Sequence, residues 1–233
     1  MSCTPPRELQ SVARAPAPDF DGLARLYRWM EFFTFGSYLA RCRSAFIADL
    51  SACRRALVLG DGDGRFTAQL LRANTKIEIA AVDASSAMLS ALLRRAGQSA
   101  RRVCAHCADA RTLLPPNPPY DLVTTHFFLD CLTTEEVRSL AMTLRSALSA
   151  SAIWIVSEFG VPQGWFGRLV ARPLIGLLYR TFGLLTGLSV RGLPDYATAL
   201  REAGFRLNRR RTFLHNLLVS EIWSRDDHSG PES

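Results

Sequence analysis

The sequence is nearly without lysine. Lys76 is the only one among 28 basic residues, so the net charge of +7 rests on arginines spread from Arg7 to Arg225, often singly at helix ends and among apolar residues. A chain that grips nucleic acid by charge gathers its cations into one patch. This spread reads as a solvated surface, and nucleic acid is not the expected partner. Cysteine is scarce too: 6 in 233 residues is too few for a disulfide framework. Cys104 and Cys107 form a CxxC pair around His106. No second pair follows at zinc spacing, and in a strand two residues three apart face opposite sides, so no metal site is expected.

Glycine (15) and proline (12) fall far below the share, roughly a quarter of a chain, that marks low complexity. Long apolar runs are missing as well. The greasiest stretch, 161–190, is interrupted by Arg168, Arg172 and Arg180, short of the roughly 20 uncharged residues a spanning helix needs. It could still lie on a bilayer, with Arg168 and Arg172 one helical turn apart beside Trp165 and Phe166. The first 20 residues lack the apolar core of a signal peptide, and the expected location is the cytoplasm.

What is present is a 48% hydrophobic chain long enough for one sizeable core. Residues 1–20 read as a loose arm, 21–223 as a single domain and 224–233 as a tail. Within the domain, aromatic-rich helices fall at about 21–33 and 37–50, and a lid-like insertion at 160–193. Between them, short apolar runs alternate with stretches of helical period, the pattern of a doubly wound α/β fold: a mostly parallel sheet with helices on both faces. The strands are expected at 56–59, 77–82, 102–106, 121–126 and 152–158, and the helices at 65–73, 86–96 and 134–148. The last helix is announced by a capping box, Thr133 with Glu136. A short helix follows Pro194 and ends at Gly204, and the runs 205–212 and 217–223 are close enough to pair as an antiparallel ribbon.

The chemistry points to LVLGDGDGRF, Leu57–Phe66, where a buried strand breaks at Gly60, Gly62 and Gly64 and passes into a helix. Glycines there let the chain turn sharply and let a ligand approach the amides of the helix start. The next strand ends at Asp83, whose carboxylate could accept both hydroxyls of a ribose. The third ends near Asp109, which could accept from an adenine amino group. The plain alternatives are that Asp83 caps the following helix and that Asp109 sits in an ordinary turn. A nicotinamide dinucleotide enzyme would want G-x-G-x-x-G to seat its pyrophosphate; here the spacing is G-x-G-x-G, with Arg65 and Phe66 after it.

Glycine loop, acid and second acid, in this order and closed by a ribbon, resemble the class I S-adenosylmethionine-dependent methyltransferases from about Leu57 to Trp223. The resemblance implies a seven-stranded α-β-α sandwich whose last strand runs antiparallel, with S-adenosylmethionine across the carboxyl ends of the first four strands and S-adenosylhomocysteine as product. It implies cofactor contacts at Gly60, Asp61, Gly62, Asp63, Gly64, Asp83, Ala84, Met88, Asp109, Ala110 and His126. One departure is Val58, where the family usually carries an acid; Asp61 or Asp63 would then orient the methionine amino group.

Methyl transfer is an in-line displacement that needs alignment more than acid or base. The candidates for proton removal lie at the end of the fourth strand: His126, with Asp130 to orient it, and more weakly Glu158. The bland reading of His126 is a backbone contact to the cofactor. Asn117–Tyr120 spells NPPY, a string resembling the motif of amino-methylating DNA methyltransferases, but it precedes the fourth strand, at the wrong edge of the sheet. For the acceptor, Tyr27, Phe128 and Trp165 are the expected contacts, and the apolar lid candidates favour a small aromatic or lipid-like molecule. RNA methylation, on Arg206, Arg209, Arg210 and Arg211, and a non-catalytic scaffold that binds the cofactor are the alternatives. Oligomeric state and acceptor identity are not legible.

Overall fold

In this computed structural model, residues 37–112, 114–160 and 194–226 are described. The arm, the first aromatic helix, most of the lid-like insertion and the tail beyond residue 226 therefore lie outside the described residues, while Ser224 and Arg225, expected in the tail, end the last strand.

The elements follow the alternation expected from the sequence. Helix α1 (Ser37–Arg43) leads to β1 (Arg55–Leu59), α2 (Arg65–Ala73), β2 (Glu78–Asp83), α3 (Ser86–Ala96) and β3 (Val103–Cys107). Then come β4 (Tyr120–His126), α4 (Thr134–Ala147), β5 (Leu148–Phe159), α5 (Tyr196–Glu202), β6 (Phe205–Phe213) and β7 (Leu218–Arg225). The seven strands form one sheet in the order β3-β2-β1-β4-β5-β7-β6. β1 to β5 pair in parallel, and β7 runs antiparallel to both β5 and β6.

Each face of the sheet carries its own core. On one, Phe66, Leu70 and Leu71 of α2 and Leu89 and Leu92 of α3 pack on Val58, Leu122 and Ile155. On the other, Val137, Leu140 and Leu144 of α4 and Ala199 and Leu200 of α5 cover Val123, Trp154 and Trp223. Alternation along the strands sends neighbouring residues to opposite cores. The crossovers fold one way from β1 through β2 to β3 and the other way from β4 to β5, so the strand order reverses between β1 and β4. A crevice opens outside the carboxyl ends of the strands at such a point, and ligands bind there in open α/β sheets.

Two expectations shift. The helix expected at 37–50 stops at Arg43 and resumes as a 3-10 turn, Ile47–Leu50. Ser44 bonds its hydroxyl back to the Ala40 carbonyl at 2.8 Å, a local bond that competes with helix continuation, and the break lets Phe46 drop into the core. β5 starts at Leu148, four residues early, because the chain leaves α4 in extended conformation and pairs with Tyr120 across an irregularity. The NPPY segment lies before β4, at the amino end of the parallel strands, as its position in the sequence implies.

Candidate functional site

The glycine loop joins β1 to α2. Gly60 and Gly64 sit at φ +66° and +79°, a region that disfavours side chains. A Cβ at 60 would run into the ring of Phe128, and one at 64 into Leu92, whereas one at 62 would meet only the Met88 sulfur, at 3.9 Å. The middle of the loop is thus its open face. Asp61 reaches forward and accepts the Phe66 and Thr67 amides at 3.3 and 2.8 Å. These are amides the sequence reading left open to a ligand; the protein's own carboxylate takes them. Gly64 stands at the N-cap with no side chain to offer, and Asp61 does that work instead. Burial pushes the Asp61 carboxyl up, and the bonds to Phe66 and Thr67 oppose it. Asp63 is turned toward α3, paired with Arg95 at 2.7 Å and Arg65 at 3.4 Å.

Asp83, at the carboxyl end of β2, accepts the Ser85 amide at 2.9 Å and also the Gly62 amide. It is not the cap of α3: Ser85 is, through a bond from the Met88 amide at 3.2 Å. Burial raises the Asp83 carboxyl, and the two amides pull it back. Asp83 therefore ties the open middle of the glycine loop to the end of β2, with carboxylate lone pairs still able to accept. Ala84 offers its carbonyl to the Cys107 thiol at 3.6 Å, and Ala110 is buried against the α4 side of the sheet. Asp109 is gripped by Arg111, whose Nε lies 2.9 and 3.0 Å from its two oxygens and whose second nitrogen lies at 2.7 Å; Arg111 also reaches Glu136.

At the end of β4 the structure redraws one relationship. His126 is held by Ser157, Nδ1 to Oγ at 2.9 Å, and Ser157 in turn by Ser220 at 3.0 Å. The orienting partner assigned from the sequence, Asp130, is not the one that holds it. The His126 ring also lies 4.2 Å from that of Phe66, and burial pushes its pKa down to about 3, so the imidazole is neutral. Phe127 then adopts φ +53°, which throws the chain sharply over. The Phe128 and Leu129 amides land on one oxygen of Glu158, at 3.1 and 2.8 Å. The other oxygen of Glu158, a residue only 1% exposed, has no partner among the described residues. Burial raises the carboxyl of both Asp130 and Glu158, and the Asp130 charge raises Glu158 further. Ser157 and Glu158 are consecutive on β5 and face opposite ways, so the histidine and the carboxylate pair serve different sides of the sheet.

The family model for a methyltransferase domain matches residues 56–151, which runs from β1 into β5. That stretch of the chain is therefore similar to a methyltransferase domain. The malonyl-[acyl-carrier protein] O-methyltransferase of Halorhodospira halophila is 42% identical over 76 residues, 33% of this chain and 25% of that one. The chain also shares its fold with mitomycin 7-O-methyltransferase (TM-score 0.64, 16% identity, 82% of this chain and 54% of the other). The CcbJ methyltransferase of Streptomyces caelestis is similar too (TM-score 0.61, 19% identity, 79% and 94%). The chain thus spans a quarter of the Halorhodospira protein and about half of the mitomycin enzyme.

Among the described residues, the structure brings Gly60, Asp61, Gly62, Asp83, Met88 and Phe128 together and sets Asp63 and Asp109 into ion pairs. Tyr27 and Trp165 lie outside the described residues. Sequence reasoning missed Ser157, which carries no motif. Among the described residues no group of three or more histidines, cysteines or acids is placed to hold a metal, and no helix is long and apolar enough to cross a membrane.

Proposed function

We propose that this domain binds S-adenosylmethionine and transfers its methyl group to a small, largely apolar acceptor at oxygen or carbon. The observation that carries the reading is the junction of loop and acid: Gly62 and Ser85 fix the Asp83 carboxylate where it can still accept from a ribose. The Asp61 carboxyl supports it by elimination, because it already occupies the α2 amides that would hold the pyrophosphate of a dinucleotide. Two of the similar proteins, the Halorhodospira one and the mitomycin one, are O-methyltransferases, which favours oxygen.

When bound, the cofactor supplies an electrophilic methyl on a sulfonium centre. The residues around it bind, align and keep water out. Gly60 with Phe128 forms a wall at the β1/β4 switch, and the ring can face a cation. An acceptor hydroxyl must lose its proton, and Asp130 and Glu158, raised toward neutrality, are better matched to take it than His126, whose low pKa makes it a weak base.

RNA as acceptor loses support. Of the ribbon arginines, Arg209 pairs with Asp49 at 3.0 Å, Arg210 with buried Glu221 at 2.5 Å, and Arg211 donates to the Ala45 carbonyl at 2.5 Å. Calorimetry tests the reading: S-adenosylhomocysteine should bind at micromolar concentration and at least tenfold more weakly to Asp83→Ala. Undiminished binding in that variant removes the ribose assignment. Labelled cofactor incubated with cell extract should yield a methylated small molecule; binding without any turnover would point to the scaffold instead.

A further inference from the structure

Arginines scattered through the sequence are partly gathered by the fold. Helix α1 turns Leu39 and Cys42 onto Phe127, Leu217 and Leu218, which leaves Arg41 exposed on its outer side. Leu218 of β7 pairs both with Phe159, at the end of β5, and with Phe213, at the end of β6. The outer edge of the sheet therefore ends level with the carboxyl end of β5, and α1 lies against it. Between helix and edge strand runs an open groove of about 450 Å³, lined by Arg41, Ser44, Ala45, Arg211, Thr212 and Phe213. Two arginines from distant parts of the chain meet in that lining.

Both guanidinium groups are held in place. Arg211 donates to the Ala45 carbonyl, and its guanidinium carbon lies 5.0 Å from the centre of the Phe46 ring; that of Arg41 lies 5.6 Å from the Tyr38 ring. Neither has a carboxylate partner among the described residues, whereas the neighbours on β6 do: Arg209 pairs with Asp49 at 3.0 Å and Arg210 with Glu221. Carbonyl and ring contacts restrict a guanidinium without cancelling its charge, so the groove keeps two positive charges in prearranged positions. The Thr212 hydroxyl adds a donor beside them. A carboxylate, with two oxygens and one charge, is satisfied by a single guanidinium fork. Two forks and a hydroxyl suit the three terminal oxygens and double charge of a phosphate. The groove is roomier than a bare phosphate needs, so the phosphate it fits belongs to a larger molecule.

We propose that the groove between α1 and the end of β6 binds the phosphate group of a phosphomonoester, gripped by Arg41 and Arg211. The site is separate from the glycine loop: β6 stands three strands from β4, about 14 Å at the ordinary strand spacing. It stands or falls independently of the methyl-transfer reading.

The test is calorimetry with phenyl phosphate at low salt. Arg41→Gln and Arg211→Gln should each weaken its binding by about tenfold or more, as expected for a lost charge-assisted bond. Arg211→Lys, which keeps the charge but not the fork, should weaken it less. Arg206→Gln removes the same charge from β6 outside the groove and should change binding by less than about twofold. Arg41 stands on the exposed side of α1, so its variant reports on the groove even if Arg211→Gln fails to fold. Vesicle sedimentation separates two sources of the phosphate. Phosphatidylcholine vesicles carrying phosphatidic acid should pellet the protein, and not Arg41→Gln, if the group is a lipid headgroup; binding of phenyl phosphate without pelleting assigns the groove to a soluble phosphomonoester. No binding of phenyl phosphate by the unaltered protein would overturn the site. Equal weakening in Arg206→Gln and Arg41→Gln would overturn it too, because diffuse surface charge would then explain the binding.

Discussion

The ring of Phe128 stands where a side chain at Gly60 would have to go. Two constraints therefore meet at position 60, a left-handed backbone and an occupied neighbour, and they can be separated. Gly60→Ala should destabilise the domain by about 2–4 kcal/mol, from backbone strain plus overpacking. In the Gly60→Ala/Phe128→Ala pair the overpacking is relieved while the strain stays, so the two changes should couple by about 1–2 kcal/mol in urea denaturation. Additivity within a few tenths of a kcal/mol would mean that the ring is free to move aside.

Asp61 performs for α2 what a serine or threonine at the N-cap would otherwise do. Asp61→Ala should lose about 1–2 kcal/mol of stability, the usual range for a lost cap. Asp61→Asn keeps one accepting oxygen and should lose roughly half as much. Chemical denaturation distinguishes them. A fully stable alanine variant would show that water satisfies the Phe66 and Thr67 amides equally well.

His126 links stability to pH. Its folded pKa, about 3, lies below the ordinary 6.5, so the fold favours the neutral ring. The stability this contributes is complete above pH 6.5 and is lost as pH falls toward 3, by about 1.4 kcal/mol for each pH unit crossed. Asp130 and Glu158, both raised, work in the opposite sense: protons bound by them favour the fold, and that contribution fades as pH rises through their folded values. The histidine effect must therefore be read as a difference. Below pH 6.5 the unaltered protein should lose stability faster than His126→Asn, whose amide can replace Nδ1 toward Ser157. Parallel curves would mean that the buried ring takes up its proton at no cost.

Much of this was legible in the sequence because short-range rules decide it. Apolar runs four to seven residues long, glycines at alternate positions and a capping box at Thr133 act within one or two turns of chain, and β1 to β4 and α2 to α4 fall within two residues of where they were expected. Asp83 was legible for the same reason, as the last residue of a strand. The side-chain partnerships were not. Ser157 meets His126 only because β4 and β5 align those two residues across the sheet, and Phe46 enters the core only because α1 breaks at Ser44. Asp130 follows His126 closely in sequence, which made it look like a partner, but the left-handed turn at Phe127 carries it toward Glu158 instead.

The Asp130–Glu158 pair gives the last prediction. Burial penalises the ionised form of both carboxyl groups, so each holds its proton to higher pH than an exposed acid does, and the Asp130 charge holds that of Glu158 longer still. If Asp130 takes the acceptor's proton it must be ionised to act, and kcat/KM should rise with pH along a limb displaced upward from the ordinary carboxylate range near 4. Asp130→Asn should flatten that limb and lower kcat by about a hundredfold while S-adenosylhomocysteine still binds. Glu158→Gln should leave that limb in place, because Glu158 is still protonated while Asp130 ionises and has no charge to remove, and the Phe128 and Leu129 amides keep an acceptor. A limb that moves downward in Glu158→Gln would show that Glu158 ionises first, and one that survives in Asp130→Asn would assign the proton to another group.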